Sequence, residues 1–191
     1  IPVELKFSDK FIQDTVKSLA SKNSSLPITY NEPISMLQKQ CEKFYYSNLL
    51  TDAAKEEIPS EMKIVYIIGF LSGELSQSIN RFLKPFNPIL GETFEFFDNE
   101  RKFRFFSEQV SHNPPISAYV CESSDFVFFG DTRFKSAFKI LKGAIELSFS
   151  NKTHILFKKT QKKYVFNKPN CYLKGVVRGT KRYDVEGKMT I

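Results

Sequence analysis

Residues 108–118 read EQVSHNPPISA, a strand-like stretch that runs into His112 and Asn113 and then into Pro114 and Pro115. Proline fixes its own φ and restricts the residue before it, so the backbone behind the polar pair is stiff. Histidine and asparagine offer several hydrogen-bond donors. The segment predicts either a strand-ending turn in which a backbone carbonyl satisfies His112, or a fixed pair of donors for a polar ligand.

A second proline-stiffened segment precedes the first. Residues 83–95 read LKPFNPILGETFE, with two prolines around a Phe-Asn pair and a glycine, Gly91, that permits a turn. One interpretation is that Lys84 and Asn87 are presented on a stiff platform to an anionic or polyhydroxyl ligand. The other is a rigid connector whose lysine is merely solvated. The residues themselves leave both interpretations open.

The chain before this segment has the apolar spacing of helices. Spacings of three and four predict a first helix within residues 8–19, a second that carries Ile34, Leu37, Cys41 and Phe44, a short third at Leu49–Ala54, and a long fourth from Ser60 to about Phe82. Small residues in the fourth helix, Gly69, Ser72, Gly73 and Ser76, predict close packing against a neighbour.

After Pro88 the apolar period changes to two, which is typical of strands. Alternating or apolar stretches occur at residues 93–96, 103–105, 116–122, 126–129, 134–140, 145–149, 155–157, 164–166, 171–177 and 183–191. Helices followed by a long antiparallel β-meander define an α+β fold. So many successive strands are expected to curl toward a barrel. The 20 Phe and 8 Tyr, with no Trp, suit an interior with flat apolar walls.

Charge and cysteine content narrow the class of protein. The formal net charge of +7 implies an acidic partner, which could be anionic lipid, a phosphate ligand or nucleic acid. Three widely spaced cysteines, Cys41, Cys121 and Cys171, favour reduced thiols in the cytosol over a disulfide framework. The longest apolar run, Ile64–Leu71, is far shorter than the roughly 20 residues of a membrane-spanning helix.

An enzyme is not favoured by the motifs. Glu108, Ser111 and His112 offer an acid, a nucleophile and a base, but strand neighbours point to opposite faces, so Ser111 and His112 do not easily meet. The chain has no nucleophile elbow, phosphate-binding loop, dinucleotide-binding loop or metal-ligand spacing. We therefore expect no catalysis, no cofactor and no metal.

Nucleic-acid binding is not favoured either. The basic clusters KKTQKK at 158–163 and RGTKR at 178–182 fall in predicted hairpin loops. A single-strand binder would expose aromatic side chains beside such clusters, whereas these aromatics alternate within strands and predict an interior lining. Solvation or docking on an anionic membrane is the better interpretation of the loops.

Four segments together resemble the lipid-binding domain of the oxysterol-binding protein family. In chain order they are LPITYNEPISMLQKQCE at 26–42, KPFNPILGETFE at 84–95, EQVSHNPPISA at 108–118 and GDTRFKSAF at 130–138. The family has these segments in the same order. The family fingerprint reads Glu-Gln-Val-Ser-His-His-Pro-Pro, so Asn113 stands where the family has its second histidine. Asparagine can still donate a hydrogen bond, but it cannot carry charge.

The resemblance implies a large, incomplete antiparallel β-barrel with helices before it and a hydrophobic tunnel that holds one lipid. Residues 1–191 would form the N-terminal portion of this domain, with 1–25 as a lid, 26–83 as the helical part and 84–191 as barrel strands. By motif match, Lys84 and Asn87 would contact an inositol phosphate headgroup. His112 would contact its 4-phosphate, with Asn113 beside it.

The resemblance also implies a function and partners. Family members carry sterol, or in some cases phosphatidylserine, and many exchange it for phosphatidylinositol 4-phosphate. We expect a cytosolic protein that is peripheral at membranes or membrane contact sites and binds no nucleic acid. The alternative is a lipid sensor or scaffold that transfers little. Because the sequence stops in a strand-like stretch, a polypeptide of residues 1–191 is also expected to self-associate.

Overall fold

The computed structural model describes Ile28, residues 31–77, Arg81, and residues 83–139, 143–175, Thr180 and 182–191. The predicted first helix and the predicted lid at 1–25 lie outside the described residues. So does most of the basic cluster at 178–182.

The described chain opens with a strand where a helix was predicted. β1 spans Asn31–Ser35 and α1 spans Met36–Glu42, so the prediction that the second helix carries Ile34 is wrong, and Phe44 lies in the 3₁₀ helix that follows. A capping box sets the boundary: the Ser35 Oγ accepts a hydrogen bond from the Gln38 N–H at 3.2 Å, and the Gln38 Oε1 accepts one from the Ser35 N–H at 2.8 Å. The helix therefore begins only after Ser35.

The other helices follow the sequence more closely. A 3₁₀ helix at Lys43–Tyr46 leads into α2 at Asn48–Ala53, which confirms the short third helix. The long helix, α3, begins at Ser60 as predicted and ends at Ser76 rather than near residue 82. A Cβ atom at Gly73 would overlap the ring of Tyr46, so the small residue does permit the predicted close packing.

Strands form three sheets among the described residues. β1 pairs in parallel with β2, six strands lie in the order β10-β9-β6-β5-β4-β3, and four lie in the order β12-β11-β8-β7. The strands after β1 are β2 Lys84–Phe86, β3 Thr93–Asp98, β4 Phe103–His112, β5 Pro115–Ser123, β6 Phe126–Thr132, β7 Phe134–Lys139, β8 Ala144–Phe149, β9 Lys152–Phe157, β10 Lys163–Asn167, β11 Asn170–Lys174 and β12 Arg182–Glu186.

Two features differ from a continuous antiparallel meander. β2 is parallel to β1, so the antiparallel strands begin at Thr93 and not at Lys84. β6 pairs with β9, because β7 and β8 leave the larger sheet and join β11 and β12 in the smaller one. The described residues thus form a strand-rich α+β fold with two open antiparallel sheets and no closed barrel.

The core lies between the helices and one face of the six-stranded sheet. The Phe44 ring lies at its centre, with centroid distances of 5.9 Å to Phe70, 5.8 Å to Phe103, 5.6 Å to Phe105 and 5.1 Å to Phe128. Further buried members of the core are Leu50, Ile67, Tyr119, Cys121, Phe126, Ile155, Phe157 and Phe166. The predicted aromatic interior is present.

β4 shows how this face changes character along its length. Phe103, Phe105, Ser107 and Gln109 alternate on the buried side, while their neighbours are exposed or half-buried. Because strand side chains alternate between faces, these four share one face. The buried face is therefore aromatic near Phe103 and polar near Gln109, which is the end that leads to His112.

The three cysteines are unpaired, and Cys121 and Cys171 are buried. None of the described helices has the length and apolar character required to cross a bilayer.

Candidate headgroup site

The two proline-stiffened segments meet at one end of the six-stranded sheet. The Gly91 N–H donates to the Gln109 carbonyl at 2.9 Å, and the Gln109 N–H donates to the Glu92 carbonyl at 2.9 Å. Gln109 precedes His112 by three residues on β4. Backbone hydrogen bonds thus hold the turn after Asn87 against the strand that ends at His112.

The structure places the four candidate ligand contacts on the surface at this junction. Lys84 opens β2, Asn87 follows that strand, His112 ends β4, and Asn113 begins the turn to β5. All four residues are exposed. Their side chains form no hydrogen bond or ion pair to another described residue, so the interpretation in which a backbone carbonyl satisfies His112 finds no support there. Among the described residues, the donors of these four side chains are therefore unoccupied.

The turn beyond His112 is held by its own hydrogen bonds. The Ser111 Oγ donates to the Pro114 carbonyl at 2.7 Å. The register between β4 and β5 shifts between Gln109 and Ser111, and His112 then pairs with Pro115. A β-bulge changes the direction in which the side chains that follow it point. The Ser111 hydroxyl is therefore engaged within the turn.

Beneath the exposed donors lies a buried polar network that the sequence interpretation missed. The Ser117 Oγ donates to the Gln109 Oε1 at 2.5 Å, and the Gln109 Nε2 donates to the Ser111 carbonyl at 2.7 Å. The Gln40 Nε2 donates to the Thr132 Oγ1 at 2.9 Å, and the Thr132 hydroxyl donates to the Ser117 carbonyl at 3.2 Å. These bonds join α1 to three strand ends.

A signal for part of this network was present in the sequence. Gln109 shares the parity of Phe103 and Phe105 along β4, so the alternation places it inside. Gln40 and Thr132 are 92 residues apart and belong to no common motif. Their contact follows only from the packing of α1 across the sheet.

A buried lysine lies deeper in the same interior. Lys43 is 4% exposed, and its Nζ lies 3.5 Å from the centroid of the Tyr119 ring. Burial lowers the pKa of Lys43, because the charged ammonium loses its hydration. The nearby Glu74 carboxylate opposes this effect, but its own ion pair is with Lys168. The aromatic faces around Lys43 partly replace water through cation–π contact.

An open, largely apolar cavity of about 580 Å³ lies at the other end of β3 and β4. Its walls include Tyr45, Tyr46, Phe94, Phe96 and Phe103. At its rim Arg101 donates to the Asp98 carboxylate at 3.1 Å and to the Tyr45 carbonyl at 2.9 Å. Asp98 pairs with Phe103, whereas Thr93 pairs with Glu108, so the cavity is remote from His112. Its wall is mostly aromatic, and the Arg101 guanidinium at its rim is bonded to Asp98 and Tyr45.

The described part of the chain has no group of three or more His, Cys, Asp or Glu side chains arranged to hold a metal ion.

A family model described as oxysterol-binding protein matches residues 18–191. This match covers most of the chain, in the region that contains both proline-stiffened segments. The chain belongs to the oxysterol-binding protein family.

Curated relatives agree with this assignment. The chain is 38% identical over 167 residues to human oxysterol-binding protein-related protein 6, a match that covers 87% of this chain and 18% of that protein. It is 35% identical over 187 residues to oxysterol-binding protein homolog 2 of Saccharomyces cerevisiae, covering 92% of this chain and 14% of that protein. The chain therefore spans under a fifth of these relatives.

Solved structures show the same fold. The Osh1 ORD domain in complex with cholesterol superposes with a TM-score of 0.79 at 34% identity, covering 87% of this chain and 40% of that one. The Osh3 ORD from Saccharomyces cerevisiae in complex with PI(4)P superposes with a TM-score of 0.80 at 30% identity, covering 99% of this chain and 49% of that one. The chain corresponds to about half of such a domain or less.

Proposed function

We propose that this chain is part of a domain that binds a sterol or related lipid in a hydrophobic tunnel and transfers it between membranes. Exchange for phosphatidylinositol 4-phosphate is part of the proposal. The observation that supports it is the junction at Gln109, where two stiff segments expose four donor side chains that are unpaired among the described residues. They lie at the polar end of the buried face, which is aromatic near Phe103. Family membership supports lipid binding, and the solved relatives include complexes with cholesterol, ergosterol and PI(4)P.

In this proposal the exposed donors recognise the phosphorylated headgroup. Lys84 and His112 would donate to phosphate oxygens, and Asn87 and Asn113 would donate to hydroxyl or phosphate oxygens. Hydrogen bonds to a charged phosphate are stronger than those between neutral groups. The roles of these four residues come from the family motifs, and their common exposure at one junction supports them.

The buried network contributes by fixing the positions of these donors. Gln109, Ser117 and Thr132 hold the ends of β4, β5 and β6 together under the surface. Binding to a preorganised site costs less side-chain and backbone entropy than binding to a mobile one. The network therefore favours a defined headgroup orientation, while the aromatic interior favours an apolar lipid body.

The family is described as oxysterol-binding, and the proposal is a binding role without catalysis. Ser111 donates within its own turn, and the donors around His112 lack a partnered nucleophile among the described residues. We place the protein in the cytosol, peripheral at membranes or membrane contact sites, with anionic membrane as a partner.

A transfer assay between two liposome populations tests the proposal with the full-length protein. Donor liposomes carry a fluorescent sterol, and acceptor liposomes carry phosphatidylinositol 4-phosphate. We expect sterol transfer that accelerates when phosphatidylinositol 4-phosphate is present in the acceptor. Stoichiometric binding without transfer would instead identify a lipid sensor or scaffold. Failure to bind either lipid would contradict the proposal.

A further inference from the structure

The turn that joins β2 to β3 exposes two large apolar side chains at its tip. Ile89 is 70% exposed and Leu90 is 63% exposed, whereas Pro85 and Pro88 in the same segment are buried. Single exposed apolar side chains are common on protein surfaces. Two consecutive exposed apolar side chains on a stiff turn, adjacent to a candidate ligand site, are stronger evidence of an interaction surface.

The turn is fixed in a way that keeps these side chains outward. The Glu92 carboxylate accepts a hydrogen bond from the Ile89 N–H at 3.0 Å, and the Glu92 N–H donates to the Ile89 carbonyl at 3.0 Å. Gly91 has a φ of 79°, which favours glycine, and its N–H is bonded to Gln109. The backbone thus holds the tip against β4 while its side chains gain no contact with the core.

The surroundings of the tip match an anionic bilayer surface. Val110 follows Gln109 on β4 and adds a third apolar side chain, 47% exposed, beside the turn. Lys84 and His112 lie on the flanking strands, the Glu92 carboxylate of the turn accepts from the Ile89 N–H, and the chain carries a net charge of +7. Apolar side chains flanked by basic ones are typical of segments that lie at a membrane interface.

We propose that Ile89 and Leu90 insert into the headgroup and acyl boundary of an anionic membrane and so position the adjacent headgroup site against the bilayer. The proposal rests on the function proposed above, because the inserted tip would place Lys84 and His112 where a lipid headgroup leaves the membrane. A second copy of the chain, or the chain's own residues 1–27, could cover the tip instead. The test below distinguishes both from a membrane.

The absence of tryptophan from the 191 residues provides a direct probe. In the full-length protein, Leu90→Trp adds one tryptophan at the tip, and its signal is the difference from the unmodified protein. Phe97→Trp introduces one at another exposed apolar position, 57% exposed, toward the opposite end of β3. With vesicles of phosphatidylcholine and phosphatidylserine that carry brominated acyl chains, we expect quenching and a shift to shorter wavelength for Leu90→Trp only.

Tryptophan fluorescence without vesicles distinguishes the two alternatives, a second copy of the chain and the chain's own residues 1–27. We expect the tryptophan of Leu90→Trp to be accessible to a water-soluble quencher at all protein concentrations. Protection that increases with protein concentration would identify a second copy as the occupant. Protection that is independent of concentration would identify the chain's own residues. Either result would overturn the proposal.

Vesicle co-sedimentation gives an independent measure. Because each Ile or Leu side chain loses most of its apolar surface on truncation, Ile89→Ser/Leu90→Ser should weaken vesicle binding by roughly tenfold or more, and Phe97→Ser should not. Equal vesicle binding of the double variant and the unmodified protein would contradict insertion of the tip. Binding to the vesicles would then rest on electrostatic attraction alone.

A membrane-free measurement separates this inference from the proposed function. Sterol delivered from cyclodextrin requires no docking, so the double variant should bind it as the unmodified protein does, while its transfer between vesicles slows. If the unmodified protein fails to bind delivered sterol, the proposed function fails. If the double variant transfers sterol between vesicles at the rate of the unmodified protein, only the proposed membrane insertion of the tip is contradicted.

Discussion

At the scale of single residues, Asn113 is the side chain that departs from the family fingerprint, and it is exposed beside His112. In the proposed site it can donate to a phosphate without adding charge. Asn113→His should tighten phosphatidylinositol 4-phosphate binding by about 1 kcal/mol at pH 6, since a charged imidazole donates a stronger hydrogen bond to phosphate.

The gain in phosphatidylinositol 4-phosphate affinity from Asn113→His should be smaller at pH 8, because an imidazole with an ordinary pKa of about 6.5 is then mostly neutral. Titrating the lipid at both pH values and at two salt concentrations checks this, with sterol affinity as the control. A folded variant with no gain at either pH would show that residue 113 does not contact the headgroup.

Lys43 offers a second test, on stability. Burial lowers its pKa in the folded protein, so below that value folding carries the cost of a buried ammonium. Replacing a buried charge with an apolar side chain of similar volume is often stabilising. Lys43→Met should therefore raise the free energy of unfolding at pH 7, by about 1 kcal/mol.

The pH dependence of that gain follows from the direction of the pKa shift. As the pH rises through the folded pKa of Lys43 toward the ordinary lysine value of about 10.4, the unfolded state binds more protons, so the unmodified protein gains stability. The advantage of Lys43→Met should shrink over this window. Lys159→Met, at an exposed lysine in the turn after β9, is the control. Destabilisation by Lys43→Met at pH 7 would mean that the contact with the Tyr119 ring outweighs the cost of burying the ammonium.

The candidate site shows what residue patterns can and cannot reveal. Lys84, Asn87, His112 and Asn113 stand out because prolines stiffen the chain beside them, and the structure exposes all four at one junction. Gln40 and Thr132 could not be found in this way. A glutamine on a helix and a threonine on a strand carry no local signal of a shared hydrogen bond, and only tertiary packing brings them together.

At the scale of elements, the contact between α3 and the 3₁₀ helix depends on one small residue. A Cβ at Gly73 would overlap the Tyr46 ring, whereas a Cβ at Gly69 would lie 3.5 Å from the Leu49 Cδ1, an ordinary contact. Gly73→Ala should destabilise the fold by about 1–3 kcal/mol because the added methyl overpacks the interface.

Gly69→Ala is the matched control on the same helix. It should be neutral or stabilising by up to about 1 kcal/mol, since alanine favours the helix over glycine. Urea unfolding of both variants measures the difference. Equal stability of the two variants would contradict the tight contact at Gly73.

The helices and strands also show where the apolar periodicity of the sequence is sufficient to predict structure. The aromatic strands were predictable because an alternating pattern identifies one buried face. β1 was missed because Ile34 lies three residues before Leu37 and so fits a helical face, although Pro33 and the Ser35–Gln38 capping box marked the helix start. The departure of β7 and β8 into a second sheet was not predictable, because alternation identifies a buried face and not a partner strand.

At the scale of the whole molecule, β3 ends the six-stranded sheet and exposes Phe96 and Phe97. Unpaired sheet edges and apolar surface promote association. A polypeptide of residues 1–191 alone should therefore form oligomers at micromolar concentration, and Phe97→Lys should reduce them. Light scattering measures both. A monomeric polypeptide of residues 1–191 that still binds lipid would contradict this expectation.

In the proposed function, one end of the sheet recognises a phosphorylated headgroup while the aromatic interior holds an apolar lipid. Hydrogen bonds to a charged group contribute about 1.5–3 kcal/mol, so His112→Ala and Lys84→Ala should each weaken phosphatidylinositol 4-phosphate binding by roughly tenfold or more. Sterol binding should be nearly unchanged, because a sterol offers only a hydroxyl. Lys102→Ala, at an exposed lysine that precedes β4 at the end opposite His112, should change neither.

The most direct measurement incubates the full-length protein and these variants with vesicles that contain both lipids, then recovers the protein and quantifies its bound lipid by mass spectrometry. We expect one lipid per unmodified protein, either sterol or phosphatidylinositol 4-phosphate. In His112→Ala and Lys84→Ala the bound fraction should shift strongly toward sterol. Unmodified protein recovered without lipid, or equal loss of both lipids in folded variants, would contradict the proposed function.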